Sequence, residues 1–466
     1  MTAALSKPSP STGTPPGSPP KLWKTYLVFL VPMIFSNFLQ AASGTINNIY
    51  LGQMLGVAAL AAVSSFFPVL FFLMAFMIGL GTGASVLIGQ AWGAREPERV
   101  KAIAGTTLMV GLCFGALVAL FGGLFTRALL TALGTPADIL PSSIEYARVM
   151  LIAAPGIFVY LLTTSMLRGV GDTRTPLKTL LIATAVGLML TPALIRGWLG
   201  LPPLGVASGA YAATVSFVVA MAWTAWHLRR SRSPLAPDAE LWRHLRLDRT
   251  ILLKVLKIGL PSALTIITMS VSEIAVLFLV NRYGSQATAA YGAVNQIVSY
   301  VQFPAISIAI TASILGAQAI GAGRTHMLGK IAQTGIAMNL LLTGALALLG
   351  YLFSRSIIGL FITDPAVVEL AQTLLHIMLW SLIVFGMSMV LSGLMRASGS
   401  VLVPTLITMG CIGGVQIPVA WFLSSPLALD SINGVWAAYP VAFLVMLTLQ
   451  TTYYRLVWKK KPIQRM

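Results

Sequence analysis

Long uninterrupted apolar stretches dominate this chain, and they leave few choices of fold. Runs of the length needed for one helical crossing of a bilayer, about 20 residues, recur twelve times. They cover residues 25–50, 58–91, 102–126, 139–167, 176–199 and 205–228, then 255–281, 288–321, 331–353, 366–395, 401–424 and 432–457. A transmembrane barrel would show shorter segments of alternating polarity, whereas these runs are continuous and rich in Leu, Ala, Gly and Met. Inside lipid the backbone must bond to itself, so each run is read as a helix. With 57% hydrophobic and 9% charged residues among 466, too little polar surface exists to cover a water-soluble globule. The expected fold class is an all-α membrane protein with 12 transmembrane helices.

The formal net charge of +18 invites a nucleic-acid reading, which the positions of the charges remove. Twenty-five of the thirty Lys and Arg fall in the tails and the even-numbered connections; the exceptions are Arg127, Arg196, Arg282 and Arg355 on the other face and Arg148 inside span 4. Such a bias sets topology by the positive-inside rule, so a multi-pass protein of a bacterial-type inner membrane is expected, with both termini and the long connection after span 6 cytoplasmic. No nucleic-acid partner is expected. Arg168 and Arg396 end spans 4 and 10, where helix C-termini and lipid headgroups favour a cation, and anchoring accounts for them. Cys113 and Cys411 both lie within spans, so no disulfide scaffold is expected.

Self-similarity organises the chain further. "GASVLIGQAWGA" (83–94) resembles "TASILGAQAIGA" (311–322), with Ser85/Ser313, Gln90/Gln318 and Gly93/Gly321 each separated by 228. The same offset relates "LRGVGDTRTP" (167–176) to "MRASGSVLVP" (395–404) through Arg168/Arg396, Gly171/Gly399 and Pro176/Pro404, and it also relates Gly56 to Gly284. One constant shift over so long a stretch implies two six-helix lobes. Because six is even, both lobes enter the membrane from the same side, and they are related by a pseudo-two-fold axis along the membrane normal. The expected organisation is a disordered Pro/Ser-rich cytoplasmic tail over 1–23, an N-lobe over 24–228, a cytoplasmic linker over 229–254 with a short surface helix near 238–256, a C-lobe over 255–457 and a basic cytoplasmic tail over 458–466.

These motifs, "GASVLIGQAWGARE" after span 2 with its echo after span 8 and "LRGVGDTRTPLK" after span 4, resemble those of the multidrug and toxic compound extrusion (MATE) family. The resemblance covers nearly the whole chain. It implies two six-helix lobes around a V-shaped central cavity and export of organic, often cationic, compounds driven by inward flow of H⁺ or Na⁺. Two departures stand out. Many bacterial members carry an Asp on span 1, where "INNIYLG" has Asn47 and Asn48, and Asn and Asp-Pro along span 5, where "TLLIATAVGLMLTP" has Thr184, Gly187 and Thr191. An amide cannot release a proton, and neutral oxygens hold a bare cation less well than carboxylate does, so coupling has to reside elsewhere.

Glu273 is the candidate. Of the twelve acidic residues it alone lies deep in an apolar run; the other eleven, from Glu96 to Asp430, fall in loops or near span ends. An ionised carboxylate at the bilayer centre costs roughly 2.5 to 3.5 kcal/mol on insertion scales, so such groups face a cavity or a partner. Two readings are open, a proton-loading coupling site or a permanently protonated group bonded across a helix interface. By the 228 offset its mate is Thr45, so the lobes differ in chemistry. His376 on span 10 is a candidate relay or a packing residue. Asn37, Gln40, Asn47 and Asn48 on span 1, Thr184 and Thr191 on span 5, and Asn295, Gln296 and Gln302 on span 8 are candidates to line the cavity or to bond neighbouring helices. Trp380, Phe385 and Met387 offer a soft apolar surface to varied substrates or pack against neighbours. "GLGTG" (79–83) sits inside a hydrophobic helix with no strand before it and is read as close helix packing, not a nucleotide loop.

No phosphate-binding loop of the ATP-hydrolysing type and no convergent catalytic or metal-ligand cluster occurs in the sequence, so neither an enzyme nor a metal or other cofactor is expected, apart from the coupling ion H⁺ or Na⁺. The favoured reading is a monomeric secondary antiporter exporting small organic, cationic or amphipathic compounds, with H⁺ favoured over Na⁺. The other reading, a flippase for lipid-linked or polysaccharide precursors, needs a basic central cavity for phosphate, and no Arg or Lys lies deep in a span except Arg148, near a span end.

Overall fold

A computed structural model describes residues 22–200, 202–425 and 431–466. All twelve apolar runs are helical. The N-lobe holds α1 (Leu22–Leu55), α2 (Val57–Gly93), α3 (Pro97–Ala132), the bent pair α4 (Leu140–Ile152 with Ala154–Val170), α5 (Arg174–Arg196) and α6 (Gly205–Arg230). The C-lobe holds α7 (Arg249–Tyr283), α8 (Ser285–Gly321), α9 (Thr325–Leu352), α10 (Pro365–Ala397), α11 (Leu402–Leu423) and α12 (Ile432–Lys460). The halves of α4 meet at 53°, and Pro155, at the start of the second half, has no N–H to continue the first. Nearly all of the expected 1–23 tail, and Asp430, lie outside the described residues.

The 228 offset has a backbone cause. Gly56 and Gly284, at the α1–α2 and α7–α8 junctions, have φ of 88° and 95°, and Gly171 and Gly399, which end α4 and α10, have 96° and 76°. A side chain at any of these positions would strain the chain, so the repeat keeps glycine where each lobe turns. Acidic and hydroxyl side chains start several helices: Asp248 accepts from the Thr250 and Ile251 N–H groups at the head of α7, and Asp364 from Ala366 at the head of α10.

The face carrying the α6–α7 connection, here the linker face, holds the lobes together. One buried apolar cluster runs from N-lobe residues such as Phe66, Phe158 and Leu162 into the linker-side halves of C-lobe helices at Ile308, Ile314, Leu391 and Leu394. A second is confined to the far half of the C-lobe, around Tyr291, Leu375, Phe385 and Trp436. The lobes therefore share a core near the linker face and have separate interiors toward the opposite face.

The linker corrects one expectation. Its helix is only Ala239–Arg243, and α7 already begins at Arg249. Asp238 caps the short helix through the Leu241 N–H and receives Lys101 of α3 at 2.6 Å, while Lys101 also pairs with Glu240. Burial pushes the Asp238 carboxyl up, but the Lys101 and Leu241 hydrogen bonds outweigh it and hold it below the usual carboxylate range. Residues 458–466 cross back to the N-lobe. Trp458 Nε1 donates to Ser398 Oγ at 2.9 Å, Arg465 forks onto Glu96, Arg99 donates to the Met466 carbonyl, and the Met466 N–H donates to Gln90 Oε1 at 2.9 Å.

Candidate transport site

The repeat motifs meet at the seam between the lobes. Gln90 Nε2, near the end of α2, donates to the Ala397 carbonyl of the C-lobe at 2.7 Å, and Gln318 Nε2, near the end of α8, donates to the Gly169 carbonyl of the N-lobe at 3.0 Å. Donors and acceptors both obey the 228 offset, so the seam is a reciprocal pair of bonds about the pseudo-axis. Gly93 lies on the backbone of Gln318 and Gly321 on that of Gln90, with no room for a methyl group at either. "GLGTG" serves the same packing: a Cβ on Gly79 would come within 2.5 Å of the Gly259 carbonyl of α7.

Beyond the seam the helices part. α1 stays against α8 through Asn37, whose amide donates to Ser307 Oγ at 3.1 Å, and through Phe38 and Tyr300, with ring centroids 5.8 Å apart. α2 then turns into the N-lobe, where Ser65 bonds Ser143, and α7 into the C-lobe, where Ser272 donates to the Ile412 carbonyl at 3.0 Å. The lobes are thus joined on the linker side, and beyond it α2 and α7 each pack within their own lobe.

Glu273 lies in that far half, on α7. Ser272, Val276, Leu279 and Val280 form the covered stripe of the helix, while Val271, Ile274 and Phe278 form an uncovered stripe, 56%, 68% and 63% exposed. Residues four apart share one line on a helix, and Glu273 shares its line with Met269 and Leu277, both packed against the C-lobe core. It therefore sits beside the covered stripe and away from the apolar outer one. The carboxylate is exposed and forms no ion pair among the described residues. In the same lobe the buried Tyr291 and Tyr439 hydroxyls, on α8 and α12, bond each other at 3.0 Å.

The other candidates divide into groups. In the N-lobe, Thr191 donates to its own Gly187 carbonyl and lies 3.4 Å from Asn47 Oδ1, two turns from Thr184, whose buried Oγ1 has no partner. Gln40 and Asn48 are exposed, and Asn295, Gln296 and Gln302 are half-buried along α8. Thr45, the mate of Glu273, bonds only its own helix at Ala41. His376 stands apart. Its Nε2 is 3.1 Å from Ser354 Oγ, its carbonyl accepts from Tyr351, and with Trp380 it borders a groove between α10 and α12. Phe385 is buried against Phe443, and Met387 is half-buried.

Arg168 and Arg396 overturn their expected role. Both line a cavity of about 90 Å³ between the lobes, together with Thr82, Ser85, Ile310 and Ser313, so they face the interlobe space rather than headgroups. Side chains on a helix lean toward its N-terminus, which carries residues at the linker-side ends of α4 and α10 back toward the membrane interior. The 228 offset they share with Ser85 and Ser313 is the sequence signal that could have found them.

Comparison with known proteins agrees with this geometry. The MatE family profile matches twice, over residues 32–193 and 261–422, once in each lobe. The probable multidrug resistance protein YoeA of Bacillus subtilis (strain 168) is 44% identical over 449 residues, which cover 96% of this chain and 97% of that protein. The multidrug export protein MepA of Staphylococcus aureus (strain NCTC 8325 / PS 47) is 22% identical, over 93% of this chain and 94% of that protein. Among solved structures, a multidrug resistance MATE family transporter in an outward-facing conformation superimposes with a TM-score of 0.85 at 23% identity, covering 93% of this chain and 95% of that one. A MATE protein in a bent conformation gives 0.84 at 23%, covering 93% and 94%. With a profile match in both lobes, a relative of this identity over almost its full length, and the two-lobed twelve-helix fold, the chain belongs to the MatE family, whose proteins are membrane transporters and not enzymes.

Proposed function

We propose that this protein is an ion-gradient-driven antiporter that exports small organic compounds, cationic or amphipathic in character, and that Glu273 is its coupling carboxylate. The observation that carries the reading is the placement of Glu273: exposed, free of any ion pair among the described residues, and in the half of the molecule where the lobes have parted. An ionised carboxylate there attracts a cation, and a proton removes that attraction, so the two occupy the site in turn. A proton gradient then drives export, because each inward proton displaces cargo toward the other face. H⁺ is favoured over Na⁺, since a single carboxylate supplies too few oxygens for a hard cation. Relatives named as multidrug resistance and export proteins support the substrate class.

The paired arginines give the flippase reading one favourable observation, a basic interlobe pocket. Its cavity of about 90 Å³ is far smaller than a lipid-linked sugar, which leaves the exporter as the better reading.

The test is reconstituted transport of a fluorescent organic cation under an imposed H⁺ or Na⁺ gradient. Glu273→Gln is expected to lower gradient-driven flux at least tenfold and to abolish its dependence on the H⁺ gradient. Flux with an unchanged gradient response in the variant rejects the assignment.

A further inference from the structure

Two guanidiniums from different lobes share one small pocket. The N-lobe residues Thr82, Ser85 and Arg168 have Ile310, Ser313 and Arg396 as their mates at the 228 offset, and all six line the cavity, which therefore straddles the pseudo-two-fold axis. Neither arginine forms an ion pair with a described carboxylate. The Arg396 Nε is buried without a hydrogen-bond partner, and so is the Oγ of Ser313, a residue only 6% exposed. Half-buried guanidiniums without a counter-charge and buried donors left without partners are costly, and a group of opposite charge removes both costs at once.

We propose that this pocket binds one small oxyanion of the phosphate or sulfate type, bridging Arg168 and Arg396 across the lobes. The size fits. Liquid water takes about 30 Å³ per molecule, so a cavity of about 90 Å³ admits a tetrahedral oxyanion and excludes a nucleotide. Guanidinium forks match oxyanion edges two bonds at a time, and the Ser313 hydroxyl supplies a further donor. Because each lobe contributes one arginine, only the linker-closed arrangement assembles the pair. An anion that binds that arrangement shifts the population toward it, and so toward the state in which the lobes are joined at the linker face.

Thermal unfolding of the full-length protein in neutral detergent tests this, with inorganic phosphate replacing gluconate at fixed ionic strength. The wild type is expected to show a saturable rise in midpoint. Arg168→Gln and Arg396→Gln are expected to lose that rise or to raise the half-saturating phosphate at least tenfold, while Arg282→Gln, on the opposite face, keeps it. Ser313→Ala removes no bond present in the fold, so it folds normally, and it is expected to weaken binding several-fold. A lipid phosphate offers the same chemistry, and a parallel arm compares nanodiscs of phosphatidylcholine alone with nanodiscs containing phosphatidylglycerol. An arginine-dependent rise with inorganic phosphate identifies the free ion, and one seen only with phosphatidylglycerol identifies a headgroup; both support the pocket. A rise of equal size in the wild type and the arginine variants, or no rise in either arm, overturns it.

Discussion

Gln90 and Gln318 make the same bond to opposite lobes, yet they are not equivalent. Both amide nitrogens are held by carbonyls across the seam, but Gln90 alone also uses its oxygen, accepting the Met466 N–H at 2.9 Å. Truncating either leaves a buried carbonyl unpaired, at about 1–3 kcal/mol, and truncating Gln90 loses the second bond as well. Gln90→Ala is therefore expected to lower the thermal midpoint more than Gln318→Ala, and equal midpoints for the two variants would remove the asymmetry argued for the seam. Some of this chemistry was legible in the sequence. Glu273 stood out because nothing else acidic lay deep in a span, and the glutamines stood out as repeat partners. What they bond was hidden, since their acceptors are backbone carbonyls about 150 and 300 residues away, at |i−j| of 149 and 307. Arg168 and Arg396 misled for a related reason: closeness to a loop in the sequence does not reveal which way a long side chain turns.

Among the elements, the twelve spans followed directly from apolar length, because a helix that crosses a membrane carries its signal in every residue. The short pieces did not. The linker helix shrinks to Ala239–Arg243 because Asp238 caps it and Asp248 starts α7 soon after. Residues 458–466 looked like a solvated basic tail, whereas they dock on Glu96, a partner 369 residues away. The Arg465 hydrogen bond, helped by the charges of Arg465 and Arg99, outweighs burial and holds the Glu96 carboxyl below its usual value of 4.5. A carboxyl lowered by folding stabilises fully above its unfolded value, and that contribution disappears as pH falls through the folded one. Docking should thus be constant from pH 8 to about 5 and weaken only in stronger acid. Hydrogen exchange at the Met466 amide reads this out. Its rate is expected to show no docking change across that range beyond the intrinsic pH dependence, and Arg465→Ala is expected to raise it about tenfold at neutral pH. Equal protection in the variant would mean that the segment is held without the ion pair.

At the scale of the whole molecule, the shared core and the glutamine seam close one face, so access from that face requires both to open. A packed interface of this kind is bistable rather than gradually deformable. Its most sensitive points are Gly93 and Gly321, each pressed on the backbone of the facing glutamine. A methyl group at either cannot be absorbed by a flexible neighbour, so Gly93→Ala and Gly321→Ala act against the linker-closed state while leaving each lobe's interior untouched. The pseudo-symmetry demands that the two substitutions act alike, in contrast to the unequal glutamines. Ser313 offers a reporter above the seam, 6% exposed and with its hydroxyl unbonded, so Ser313→Cys is close to isosteric. In a Cys113→Ser background, which removes the exposed native thiol and keeps buried Cys411, a membrane-impermeant cationic thiol reagent is applied to vesicles that present the linker face. Both alanine variants are expected to speed labelling at least tenfold and to lower gradient-driven export together. An unchanged labelling rate in both would show that the glycine seam does not hold the face shut, and that closure rests instead on the shared apolar core.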